Sequence, residues 1–258
     1  MDCIDVLIIV VIILILLFII RLHMILCNKK YNDTFTNKYN WSNYIDGIIY
    51  INLEKREDRK KLIFEEFTKI EAPIDKINKI SGVYIPNGHK GCTQSHILAL
   101  TLAKLNDWNN VLIFEDDMEL NVTPDEFNTN INNIMEYFST NNINWNVIML
   151  GTYNETKTDI SYNNNNNISN NNIVSINEAS NGVSYIVNKN YYDTLINVFN
   201  YSNTNMQKDK WTSDGWEEYA LDQLWKKLQK KDKWYGFKND LIKQRDLNNS
   251  NTRIINEL

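Results

Sequence analysis

Val111-Leu-Ile-Phe-Glu-Asp-Asp-Met-Glu-Leu120 decides the reading of this chain. Four apolar residues, Val111 to Phe114, make a run short enough for a buried strand and too short for a core helix. The run then ends in three acids, Glu115, Asp116 and Asp117. Three adjacent carboxyls raise one another's pKa unless a cation sits among them. A hard divalent ion, shared between carboxylates and a diphosphate, meets that need. Such an arrangement suits group transfer from a nucleotide donor. Glu115 and Asp117 bracket one residue, so a strand-to-loop turn brings both carboxylates to one side, where they are the candidate metal ligands. The plainer alternative is an acidic loop ahead of a helix that follows Thr123-Pro124.

On either side of this stretch, strand and helix patterns alternate. Ile48 to Leu53 reads as a strand, and Glu54 to Ile70 as a helix with Leu62, Ile63, Phe67 and Ile70 on one face. Cys92 to Leu105 and Phe127 to Phe138 have helical spacing. Val147 to Leu150 is a buried strand stopped by Gly151. Tyr153 to Asn172 is Asn-rich and reads as a flexible surface insertion. Ile173–Ile176 and Val183–Val187 are expected strands, Lys189 to Phe199 a helix, and Trp216 to Gln229 a late helix. The alternation predicts an α/β sandwich around a mostly parallel sheet. Ligands bind such sheets at the carboxyl ends of the strands, which is where the acids fall.

The chain has 258 residues, of which 43% are hydrophobic, enough for one domain with a sizeable core. A net charge of −5 provides no basic face and argues against a nucleic-acid partner. Cys3, Cys27 and Cys92 lie far apart, so neither a disulfide framework nor a zinc-ligand spacing is visible. Asn, Ile, Lys and Tyr all have A/T-rich codons, so the Asn tracts carry little functional weight. Residues 1–27 contain an apolar run from Val6 to Ile20, extended past Arg21 to Leu26. With Arg21 snorkelling, the run reaches the roughly 17–25 residues that a membrane span needs. It lacks the basic start and small-residue cleavage site of a signal peptide, so the expectation is an uncleaved membrane anchor. A polar stem over 28–46 and a globular domain over 47–258 follow. Arg21, Lys29, Lys30 and Lys38 favour a cytosolic domain by the positive-inside rule. A transferase of the ER or Golgi type would be lumenal instead, with Asn32 and Asn40 as glycosylation acceptors.

Two further segments carry chemistry. In Gly91-Cys-Thr-Gln-Ser-His96, Gly91 permits close backbone approach, and Cys92 and Ser95 would line a phosphate-binding helix start. His96 either contacts a donor or satisfies a backbone carbonyl, and Cys92 reads as a packing residue rather than a nucleophile. In Asn52-Leu-Glu-Lys-Arg-Glu-Asp-Arg59, Arg56 and Arg59 are three apart on one helix face. They suit a nucleotide diphosphate, or a solvated face paired with Glu57 and Asp58. Trp211, Trp216, Trp225 and Trp234 are candidates for stacking on sugar rings, or for the core.

Taken together, these segments resemble glycosyltransferase family 25. The resemblance rests on Tyr50-Ile-Asn-Leu53 with Arg56 and Asp58-Arg59, Gly91-Cys-x-x-Ser-His96, and Leu112-Ile-Phe-Glu-Asp-Asp117. It continues through Trp145-Asn-Val-Ile-Met-Leu-Gly151, Gly182-Val-Ser-Tyr-Ile-Val187 and Asp222-Gln-Leu-Trp225. That family includes bacterial lipooligosaccharide galactosyltransferases and collagen hydroxylysine galactosyltransferases. The resemblance implies a glycosyltransferase A-type fold, a UDP-sugar donor, Mn2+ or another divalent cation, and a glycan or hydroxylysine-type protein acceptor. It implies that Glu115 and Asp117 hold metal, while Asn52, Arg56, Arg59, Ser95, His96 and Asp116 serve the donor. Asp222 falls at the late acidic position where A-type enzymes place a base, with Asp214 and Glu217 as rivals. An inverting hexosyltransferase is the expected activity. The alternatives are an A-type transferase of different linkage and a membrane-anchored binding module that keeps the fold without turnover. A phosphodiesterase-like metal enzyme would need richer histidine sets than His23, His89 and His96 provide.

Overall fold

The computed structural model describes residues 41–160, 172–206 and 216–245, all within the unit Tyr39–Leu258. The expected membrane anchor over 1–27, the first part of the stem, Trp211 and Asp214 lie outside the described residues. Among those that are described, no helix is long and apolar enough to cross a membrane.

The first strand, β1 (Gly47–Asn52), is buried along its whole length. It lies between β2 (Ile77–Ser81) and β3 (Asn110–Glu115) and is parallel to both. The crossovers are α1 (Glu57–Lys69) and α2 (Gly88–Leu105). After β3 come β4 (Met118–Leu120), α3 (Pro124–Thr140), β5 (Val147–Met149) and β6 (Tyr153–Asp159). The chain continues through β7 (Ile173–Ser180), β8 (Ser184–Asn188) and α4 (Tyr192–Asn205). It finishes with β9 (Trp234–Phe237) and β10 (Ile242–Gln244). Among the described residues the main sheet has eight strands in the order β2-β1-β3-β8-β5-β9-β7-β6, and β10 pairs separately with β4. Most strands point one way. The exceptions are β8, antiparallel to both β3 and β5, and β7, antiparallel to β9 and β6. The sheet is therefore mixed rather than uniformly parallel. The architecture is α/β, as the alternation of strand and helix patterns predicts.

Strand alternation divides the core into two layers. Ile48 and Tyr50 of β1 and Leu112 and Phe114 of β3 pack with Ile63 and Phe67 of α1 and with Phe127, Ile131 and Ile134 of α3. Ile49, Ile51, Val111 and Ile113 face the opposite layer, against Ala99, Leu100 and Ala103 of α2 and Leu195 and Phe199 of α4. A capping box on Thr123 and Glu126, with Pro124 at the first helical position, fixes the start of α3.

Four boundaries differ from the sequence reading. The core starts before Gly47: Trp41 and Ile45 are buried, and the Trp41 indole donates to Asn128 at 2.8 Å. Helix α2 begins at Gly88, capped by the Asn87 side chain, so Cys92 and Ser95 sit beyond its free N–H groups. Part of the expected insertion is strand β6, paired with β7. Its exposed, polar residues hid a ladder that depends on a partner strand. The expected late helix is three short pieces, Trp216–Tyr219, Leu221–Leu224 and Lys226–Gln229. Trp225 and Trp234 belong to the core: both are fully buried and meet edge to face, with centroids 5.3 Å apart. They are not sugar-stacking platforms.

Candidate active site at the carboxyl end of strand β3

Strand parity dictates what the acids touch. Glu115 follows Val111 and Ile113 onto the α2 side of the sheet, and Asp116 follows Leu112 and Phe114 onto the α1 side. On the α2 side, His96 Nε2 lies 3.0 Å from Glu115 Oε1, and Cys92 Sγ lies 3.5 Å from the same oxygen. The other imidazole nitrogen, Nδ1, lies 2.8 Å from the Tyr185 hydroxyl. A buried chain thus runs from Tyr185 through His96 to Glu115. Burial alone would raise the Glu115 carboxyl, yet the His96 bond and charge, with Cys92 and Arg59, hold it below its ordinary value. Burial pushes the Cys92 thiol well up, and the Glu115 charge adds to that. Gly182 comes so close to this group that an added Cβ would lie 3.3 Å from Glu115 Oε1.

On the α1 side, the Arg59 guanidinium donates to Asp116 at 2.8 Å and to Asp117 at 3.2 Å. Asp116 also accepts from the Asn52 amide at 2.8 Å. Arg59 is buried, not part of a solvated face, whereas Arg56, at the N-cap position of α1 without a side-chain cap bond, forks onto exposed Asp58. The two arginines expected to act as a pair therefore do different things. Asp117 lies two residues past the end of β3, in the turn, where strand parity no longer applies. It shares Arg59 with Asp116 and accepts from Gln244 at 3.1 Å. Burial and the Glu115 charge push its carboxyl up to about 7. Asp116 is raised as well, first by burial and against the pull of Arg59.

A cleft of about 740 Å³ opens beside these acids. Glu115, Cys92 and His89 line one part, Asn181, Gly182 and Asp222 another, and Asp240 with Lys243 and Gln244 of β10 a third. Asp222 accepts the Asn181 N–H at 3.0 Å, and Asn181 holds φ at +92°, a strained value for any residue but glycine. A narrower cleft of about 90 Å³ adjoins it, with apolar walls from Ile51, Leu53, Val83, Tyr84 and Ile85 above Arg59 and the three acids. Cys92, Glu115 and Gln244 belong to both clefts. Ser95 lines the narrow cleft, but its hydroxyl accepts from Val83 N–H and donates to the Gly91 carbonyl, bracing that wall.

The structure therefore brings Asn52, Arg59, Ser95, His96, Glu115, Asp116 and Asp117 into one region, with Asp222 across the wider cleft. Arg56 stands at the start of α1, where its backbone carbonyl accepts from Asn52 and its guanidinium, paired with Asp58, lies near enough to Asp116 and Asp117 to be stabilised by their charges. The sequence reading missed His89, Asn181, Asp240 and Gln244. None sits in a motif, and the Gln244–Asp117 contact spans 127 residues.

The donor set fits a divalent cation. Asp117 Oδ1 is buried without a hydrogen-bond partner among the described residues, and so is Asn52 Oδ1. Their carboxylate and amide oxygens suit a hard ion such as Mn2+ or Mg2+.

Comparison with known proteins gives the family. Among solved structures, the chain is similar to A197 from STIV, at 10% identity and a TM-score of 0.36, over 74% of this chain and 81% of that one. It is also similar to a glycosyltransferase involved in the glycosylation of the major capsid of PBCV-1, at 12% identity and a TM-score of 0.35, over 74% of this chain and 92% of that one. No curated protein sequence matches it. Residues 76–212, more than half of the chain, match glycosyltransferase family 25 (LPS biosynthesis protein), and they span α2, the acid triplet and the Gly182 loop. The protein belongs to glycosyltransferase family 25.

Proposed function

We propose that this glycosyltransferase moves a hexose, galactose or glucose, from a UDP-sugar to a hydroxyl of a glycan or hydroxylysine-type protein acceptor, with inversion. The observation that carries the reading is the junction of two unlike clefts at Glu115. The apolar walls of the narrow cleft suit a nucleobase. The polar wide cleft suits a sugar and its acceptor. Glu115 borders both, with Asp116 and Asp117 on the narrow side, where a diphosphate would fall.

Glu115 and Asp117 would hold a divalent ion, Mn2+ in this reading, which when bound neutralises the charge developing on the departing diphosphate. Asn52 and Arg59 fix Asp116 and Asp117 in place before the donor arrives, so little reorganisation accompanies binding. His96, braced by Tyr185, does the same for Glu115. Asp222 takes the proton from the acceptor hydroxyl as its oxygen attacks the anomeric carbon. The Asn181 N–H steadies the Asp222 carboxylate for that task. The rival base Asp214 lies outside the described residues. We further propose that the apolar run at 1–27 tethers the enzyme to a membrane.

The test is thermal stabilisation of the full chain by UDP-galactose, UDP-glucose and UDP-N-acetylglucosamine, with and without Mn2+. The expected result is a metal-dependent shift with one hexose donor that disappears in Asp117→Asn. A folded protein that no donor stabilises would overturn the reading. Stabilisation without turnover would leave a binding module.

A further inference from the structure

We propose that Cys92, His96 and Glu115 form a second divalent-metal site, suited to Zn2+ and other thiophilic ions, which inhibits transfer by withdrawing Glu115 from the donor cleft. The inhibition rests on the function proposed above; the metal site itself does not. Cys92 and His96 are four residues apart in α2, so one helical turn sets them on the same face. Glu115 reaches them from the end of β3. The three ligand atoms lie within 4.8 Å of one another, with His96 Nε2 3.0 Å and Cys92 Sγ 3.5 Å from Glu115 Oε1.

For zinc–ligand bonds of about 2.0–2.3 Å, tetrahedral geometry sets neighbouring ligand atoms about 3.4–3.6 Å apart. The Cys92–Glu115 separation already matches, and the His96–Glu115 separation needs to open by only a few tenths of an ångström. The ring is held from behind, since Nδ1 meets the Tyr185 hydroxyl at 2.8 Å, the second contact that a metal-binding histidine ordinarily makes. Three protein ligands leave a fourth position, and Cys92 and Glu115 both border the clefts through which an ion and a water would enter. A thiolate and an imidazole select zinc over manganese, whereas Asp117 and Asn52 offer oxygen alone. On binding, the Cys92 S–H bond breaks, its proton goes to solvent, and a sulfur–zinc bond forms with no change of oxidation state. The site therefore weakens as pH falls.

Co2+ is the probe, because a cobalt–thiolate bond gives a charge-transfer band in the near ultraviolet. The full chain should show the band at one equivalent, and Zn2+ should erase it. Cys92→Ser should abolish it although Cys3 and Cys27 remain, and Glu115→Gln, which keeps the side-chain volume, should weaken cobalt binding at least tenfold. Asp117→Asn should keep the band while losing Mn2+-dependent donor stabilisation. This separates failure of the zinc site from failure of the donor reading. Zn2+ should slow transfer tenfold or more in the unmodified enzyme and leave the turnover of Cys92→Ser unaffected. No band in the unmodified protein, or a band unchanged in Cys92→Ser, would overturn the assignment.

Discussion

Asp117→Asn should make the metal-free protein more stable at alkaline pH while removing its response to donor. In the fold the Asp117 carboxyl is pushed up to about 7 from an ordinary value of 3.8, by burial first and by the Glu115 charge second. An unfolded chain releases that proton near pH 4, whereas the folded chain holds it until about pH 7. The stabilising contribution is therefore complete below pH 4, shrinks as pH rises, and is gone above pH 7. Three pKa units at about 1.4 kcal/mol each put an upper limit of about 4 kcal/mol on the cost of ionising Asp117 within the fold. Because Asp117 is only 7% exposed, solvent screens little of it. Asparagine keeps an acceptor for Arg59 and ends the sharing of one guanidinium between two carboxylates, leaving a one-to-one pair with Asp116. Urea denaturation between pH 4 and pH 8.5 reads the effect. The variant should match the parent near pH 4 and exceed it by a few kcal/mol at pH 8, with a flatter profile between. A variant less stable than the parent at pH 8, or an equal slope from pH 4 to 7, would refute the argument that the site holds an uncompensated charge for a cation to neutralise.

Other perturbations follow from the same geometry. Arg59→Met leaves Asp116 and Asp117 buried without their cation and should cost about 3–5 kcal/mol in urea denaturation at neutral pH, with partial recovery on acidification. Asp222→Asn should preserve donor-induced thermal stabilisation but lower turnover about 10²–10⁴-fold in a transfer assay, because only the proton acceptor is lost. Trp225→Ala should cost about 3–5 kcal/mol by emptying a fully buried site and removing one of the two hydrogen bonds to the Ala179 carbonyl, which Gln229 still serves, measured by thermal or urea unfolding. Gly182→Ala places a methyl group 3.3 Å from Glu115 Oε1 and should depress turnover more than stability.

Some of the site was legible because it is local. The run Val111–Phe114 ending in three acids predicted a buried strand with charge at its carboxyl end, and β3 is that strand. The helical spacing of α1, α2 and α3 was equally visible, since a 3.6-residue apolar repeat needs no partner to be recognised. The acids were identified as a unit, but their division was not. Alternation along β3 sends Glu115 toward α2 and Asp116 toward α1, while Asp117, past the strand end, goes where Arg59 and Gln244 take it.

The chain by itself thus determined its family, its α/β class and the identity of the acid triplet, because contiguous motifs and short-range periodicity encode them. Only the tertiary structure decided the contacts made across long sequence distances. Antiparallel pairing of β10 with β4 delivers Gln244 to Asp117, and the approach of α2 to β3 joins Cys92 and His96 to Glu115. The cysteine spacing in the sequence offers no metal set. The missing ligand lies 19 residues from His96, on another element, and packing of α2 against β3 brings it within reach.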